Sequence, residues 1–166
     1  MALRNGLVAR IGTTVALICV FALAATSANA ADVLRIPYDY TDSFVDPDVC
    51  ASAPWGFDVF ATEHEYGFIE VYLDSSGGFV RATIHNNYDA TISANGKTIL
   101  ERDTWNIFVA PGAQRDAGLT VHIQGPTGMV VRDAGQIVWN PDGTVSYTRG
   151  PHEQLNGVSF CPALVA

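Results

Sequence analysis

The sequence predicts an all-β fold, an antiparallel β-barrel of roughly 8–10 short strands, with a β-sandwich as the alternative. Three observations carry the prediction. From Val33 onward the chain is a succession of short runs rich in β-branched and aromatic residues, punctuated by Gly, Pro, Asn and Asp. Inside the runs apolar and polar residues alternate: Ile69, Val71 and Leu73 against Glu70, Tyr72 and Asp74, then Leu119, Val121 and Ile123 against Thr120, His122 and Gln124. The links between runs are too short for crossover helices, so neighbouring strands have to run antiparallel. After the leader, no segment holds an apolar 3.6-residue period long enough for a helix.

In chain order, residues 1–30 read as a signal peptide. Arg4 and Arg10 supply the positive end, residues 11–25 form an apolar stretch, and Ala28-Asn29-Ala30 is a small-x-small cleavage site. The apolar stretch is about 15 residues, short of the roughly 20 that cross a bilayer, so no membrane span is expected after cleavage. A single domain, 31–166, follows, and its expected location is extracellular. Strand runs fall at 33–38, 57–62, 68–74, 79–86, 90–94, 98–103, 105–110, 119–124, 129–133, 136–139 and 144–149. Asn95-Gly96 and Pro141-Asp142-Gly143 are the strongest hairpin signals. Ser75 to Gly78 and Gly125 to Gly128 are looser turns. Residues 38–55 and 150–166 read as irregular, covering one mouth of the barrel. Closure into a barrel removes exposed sheet edges, which suits an exported chain.

The whole chain carries 9 basic and 17 acidic side chains. Arg4 and Arg10 leave with the leader, so the domain keeps seven basic and 17 acidic groups, a net charge of −10. So acidic a domain is poorly suited to bind nucleic acid, which requires surplus Lys and Arg. Two cysteines remain, Cys50 and Cys161, and an even pair in an exported chain predicts one disulfide. A metal or redox thiol site would need a Cys-x-x-Cys spacing or neighbouring His, and neither is present.

Candidates for chemistry are His85 and His122, both on the polar side of a strand, with Glu70 and Arg81 as companions. If that side faces into a barrel, these groups and Tyr72 line a polar cavity suited to general acid–base work. If it faces water, they form a solvated surface, and alternation alone leaves both readings open. His152 follows Pro151 in a turn, and His64 stands between two glutamates. The Asp39, Asp42, Asp46, Asp48 series lacks the spacing of a calcium loop, so no metal is expected. Nucleophile elbow, phosphate loop and dinucleotide motifs are missing, and no cofactor is expected. Tyr38, Tyr40, Phe44, Trp55 and Phe57 form either a barrel plug or a stacking platform.

The stretch from Arg132 to Val138, then Pro141 to Val145, Gly150-Pro151-His152 and Phe160 to Leu164, resembles a pattern found in small exported β-rich proteins of actinobacteria that have no assigned activity. Asp46-x-Asp48-Val49-Cys50 fits the same pattern. The resemblance implies a strand-rich, exported, single-domain protein and brings no site residue. The leading expectation is a disulfide-closed binding or interaction module, for a small apolar or glycan ligand or a cell-surface protein. The alternatives are a barrel enzyme of cyclase, isomerase or hydrolase type, and a structural or host-facing protein of the cell envelope.

Overall fold

The computed structural model describes residues 33–52 and 54–165. The expected signal peptide, 1–30, lies outside them. The described chain forms one seven-stranded antiparallel sheet in which every strand pairs with its sequence neighbours. The strands are β1 (Val33–Asp46), β2 (Val59–Leu73), β3 (Phe79–Ala94), β4 (Lys97–Ala110), β5 (Ala113–Gly125), β6 (Gly128–Trp139) and β7 (Val145–Arg149). A 3-10 turn, Cys161–Leu164, ends the fold. No described helix is long and apolar enough to cross a membrane.

The all-β, antiparallel expectation holds, with three corrections. The strands are fewer and longer than predicted, because the breaks expected between 62 and 68, 86 and 90, 103 and 105, and 133 and 136 all lie within continuous strands. Residues 38–46, expected to be irregular, continue β1 and pair with β2 from Val33↔Tyr72 to Asp46↔Val59. There is one sheet rather than the two of a sandwich, and it is open, with β1 and β7 as its edges. The edges carry their own protection. β1 holds Pro37 and three aspartates, and β7 is only five residues long.

Turn chemistry agrees with the sequence. Asn95 and Gly96 take φ values of 52° and 74°, the left-handed pair of a type I′ hairpin. Asp142 Oδ1 accepts the Thr144 amide at 2.9 Å, while Gly143 turns the chain at φ 77°.

One face of the sheet is buried and the other is not. The buried face holds two apolar clusters. The first gathers Val59, Ile92, Ile99, Ile123 and Val131 under Phe160 and Leu164. The Cys50–Cys161 disulfide, with Cα atoms 5.8 Å apart, is fully buried in it. The second contains Ile69, Val71, Leu73, Ala82, Ile84 and Ile107 at the other end of the long strands. Burying each aliphatic side chain contributes about 1.5–3 kcal/mol. Between the clusters the same face changes character.

Candidate functional site

The alternation that buries Val59, Ala61, Ile69 and Val71 of β2 also turns Glu63 and Glu65 to the buried face. In β4 the parity of Ile99 and Ile107 does the same for Glu101 and Asp103. Cross-strand register then assembles a belt: Tyr40 faces Glu65, Glu65 faces Tyr88, and Tyr88 faces Asp103. One row along, Asp42 faces Glu63, Glu63 faces Ala90, and Ala90 faces Glu101. Among the described residues no Lys or Arg enters this belt.

Hydrogen bonds link the belt from its open side inward. At the β1 edge Tyr40 is 47% exposed, and its hydroxyl donates to Glu65. Glu65 also accepts Asn86 Nδ2 at 2.6 Å, and Asn86 Oδ1 accepts the Tyr38 hydroxyl at 2.8 Å. Deeper in, the Tyr88 hydroxyl donates to Glu63 at 2.8 Å. Burial, together with the nearby carboxylates of Glu101 and Glu63, holds the Tyr88 phenol far above its ordinary range, so it remains a donor.

The centre is the pair Glu101 and Asp103. They stand two residues apart on one face of β4, and their carboxyl groups are hydrogen-bonded to each other. Burial is the main cause that lifts both, Glu101 to about 7 and Asp103 to about 9. The charge of Glu101 raises Asp103 further, whereas Asp103 acts on Glu101 as a proton donor and lowers it. Burial therefore favours a proton retained by the pair near neutral pH.

A β-bulge places Asp103. Between Glu101↔Ile123 and Thr104↔Leu119, β5 uses one more residue than β4, and the extra residue reappears between Leu119↔Ala134 and Val121↔Asp133. The bulge withdraws the His122 amide from the regular ladder, and Asp103 Oδ1 accepts it at 2.6 Å. Next to the bulge lies buried Asp133, which accepts the Gln154 amide at 2.8 Å and forms an isolated bridge with His152. His152 is 5% exposed, and its Nδ1 has no hydrogen-bond partner among the described residues. Asp116 is buried one strand away, where Trp139 Nε1 donates to it at 2.5 Å.

The belt has the chemistry of an acid–base centre or a receptor for positive charge. A carboxylic acid, a carboxylate and a phenol donor converge in a buried setting, where each interaction is strengthened. Among the described residues no three of His, Cys, Asp and Glu converge closely enough to hold a metal ion.

The residues singled out from sequence lie elsewhere. Glu70, Arg81 and His85 do come together, but on the opposite, outer face. His85 Nε2 is 3.8 Å from Glu70, the Tyr72 hydroxyl donates to Glu70 at 3.1 Å, and the Arg81 guanidinium lies 4.0 Å from the Tyr72 ring centre. His122 is on that outer face too, two strands from His85, with Gln124 Nε2 3.2 Å from its ring. His64 pairs with Asp39 at 2.9 Å at the surface. Of the early aromatics, Tyr38 packs against the second apolar cluster, and Trp55 and Phe57 pack against the first. Glu63, Tyr88, Glu101 and Asp103 were missed, although each stands at an inward position of an alternating run.

A shallow groove of about 520 Å³ near the β3–β4 hairpin is lined by Val45, Phe60, Asn95 and Lys97 among others, and no belt residue reaches it. The chain matches no protein-family model, no curated protein and no solved structure.

Proposed function

We propose that this chain is an exported, disulfide-stabilised binding module, whose sheet coils into a barrel-like wall around the carboxyl–tyrosine belt and takes a small organic cation there. The belt carries the proposal. Glu101 and Asp103 place two carboxyl groups between the two apolar clusters, with Tyr88 across from Asp103, and neither carboxyl group forms an ion pair among the described residues. Buried carboxylates without a counter-charge are destabilising, and in proteins such departures from core rules concentrate at functional sites. An amine would offset the charge of the Glu101–Asp103 pair, with Tyr40 marking its route from the β1 edge. Export rests on the leader at 1–30, and the Cys50–Cys161 bridge and the resemblance to small exported actinobacterial proteins point the same way.

The test is native mass spectrometry of the protein from culture medium, followed by calorimetric titration with spermidine against an uncharged polyol. One-to-one spermidine binding that is lost in the Glu63→Gln/Glu101→Gln double variant is the expected result. A bare protein that binds neither probe refutes the proposal.

A second reading, a barrel enzyme, is favoured by one observation, the neighbouring carboxyl groups of Glu101 and Asp103 on the inner face of β4. Asp103 would deliver a proton and Glu101 would take one up. Its roles move to belt residues, away from His85 and His122. Turnover of a substrate that survives Asp103→Asn would dispose of these roles, and no turnover of any tested substrate would dispose of the reading.

A further inference from the structure

The outer face carries a second feature, independent of the belt. Three of the domain's seven basic side chains lie over aromatic rings at one end of this face. The Arg35 guanidinium is 3.6 Å from the centre of the Phe68 ring, that of Arg81 is 4.0 Å from Tyr72, and that of Arg115 is 4.1 Å from Phe108. All three arginines are exposed, and the three rings are half-buried. Phe68 also stacks on His85, with ring centres 4.3 Å apart. None of the three arginines has an ion pair with a described carboxylate.

Register makes this a continuous strip. Arg35, Glu70, Thr83, Phe108 and Arg115 face one another in a single row across β1 to β5. Neighbouring strands are about 4.8 Å apart, so the row spans about 19 Å, the reach of an oligomer rather than a monomer. Contact with a ring holds each guanidinium in place, and an exposed guanidinium has N–H groups for bidentate contact with a carboxylate. Among all this positive charge stands one carboxylate, Glu70, held by Tyr72 and facing His85.

We infer that this strip docks an acidic polysaccharide, with sugar carboxylates on the arginines and sugar hydroxyls on Glu70. Charge complementarity selects the partner. In a domain of net charge −10 this end of the outer face is where exposed arginines collect without carboxylate partners. The overall negative field and Glu70 repel a dense polyphosphate, while a polymer of sparse carboxylates and many hydroxyls meets both the arginines and an acceptor for its hydroxyls.

The experiment is titration calorimetry of the oxidised, signal-free protein with a short oligogalacturonate, and with a cello-oligosaccharide of matching length as the neutral probe. Saturable binding of the oligogalacturonate, weakened by salt, is expected, together with at least tenfold weaker binding of the neutral probe. The Arg35→Ser/Arg81→Ser/Arg115→Ser variant should lose at least tenfold in affinity with an unchanged circular-dichroism spectrum. As a milder change that keeps every aromatic ring, Arg81→Lys alone should weaken binding by a smaller factor. Equal affinity for the neutral oligomer, unchanged binding by the triple variant, or binding confined to polyphosphate or anionic vesicles would each overturn the inference.

Discussion

Replacing Asp103 with Asn tests the centre of the belt, because the change removes a proton and little else. The amide keeps the volume, its oxygen accepts the His122 amide, and its NH2 donates to Glu101 as the protonated acid does. In the folded protein burial holds Glu101 up at about 7 and Asp103 at about 9, both above their unfolded values. The folded state thus keeps a proton that the unfolded chain releases near pH 4. Stability linked to the pair is complete below that point, and it is lost as pH rises through 7 toward 9. Each retained proton removes about 1.4 kcal/mol per pH unit. One shared proton accordingly removes about 3 kcal/mol between pH 5 and 7, a sizeable part of the roughly 5–15 kcal/mol that holds a domain together. Urea unfolding at steps of about one pH unit from 5 to 8, followed by tryptophan fluorescence, measures the slope. The wild-type slope should be steeper than that of Asp103→Asn by about 1.4 kcal/mol per unit. Comparing the two slopes removes contributions from other groups, Asp116 and Asp133 included. Parallel slopes would refute the shared proton and with it the acid–base reading of the belt.

Three further outcomes follow from particular contacts. Cys50→Ala/Cys161→Ala opens a loop of 111 residues and should lower unfolding free energy by about 4–5 kcal/mol, and two free thiols in non-reduced peptide maps of the native protein would contradict the bridge. Gly118 has φ +135°, and a Cβ there would lie 2.6 Å from the Thr104 carbonyl oxygen and 2.8 Å from the Trp105 Cα. Gly118→Ala should therefore cost about 2 kcal/mol or more and shift tryptophan emission. Trp139→Phe removes the 2.5 Å donor from buried Asp116 and leaves Gln114 at 3.2 Å. The expected loss is about 1–3 kcal/mol in urea melts. It should be larger at pH 8 than at pH 4, since the lost bond favoured the charged form of a group that burial already raises.

The sequence made the strand character legible because alternation is a local signal. Ile69-x-Val71-x-Leu73 identifies a face whatever lies across from it, and Asn95-Gly96 requires a hairpin. It misled at the middle of each long strand. Glu63 to Gly67, Asn87 to Asp89, Thr104 and Ala134-Gly135 carry polar or glycine residues, which propensity reads as breaks. In the fold these positions all lie within paired strands, Thr104 and Ala134 at the β5 bulge, and they lie in or beside the belt. The site was thus visible only as apparent gaps between strands. Reading the parity of Ile99 through to Ile107 would have turned Glu101 and Asp103 inward, as the parity of Val59 does for Glu63. The choice of His85 and His122 followed the chemistry of imidazole, and nothing local reports that their face is the outer one. The β5 bulge was beyond reach for a related reason. It depends on register with two neighbours, and Leu119-Thr120-Val121-His122 alternates perfectly well without it.

The two faces dispose of charge in opposite ways, and the proposed binding role rests on that contrast. An acidic domain achieves solubility by leaving its carboxylates outside and its cations wherever pairing is easiest. Here Asp103, Asp116 and Asp133 are buried, while Arg35, Arg81 and Arg115 lie outside over aromatic rings. Simple repacking would relieve the inner face, since Leu or Met at 63 and 101 would join the two apolar clusters into one core. The fold instead commits a bulge and a backbone amide to holding Asp103 in place. That device and the carboxyl pair belong together: without Asp103 the His122 amide would be left unsatisfied, and without the bulge Asp103 would have no amide donor beside Glu101. A stabilising core has no use for such an arrangement, whereas a site that must hold a proton or greet a cation has every use for it.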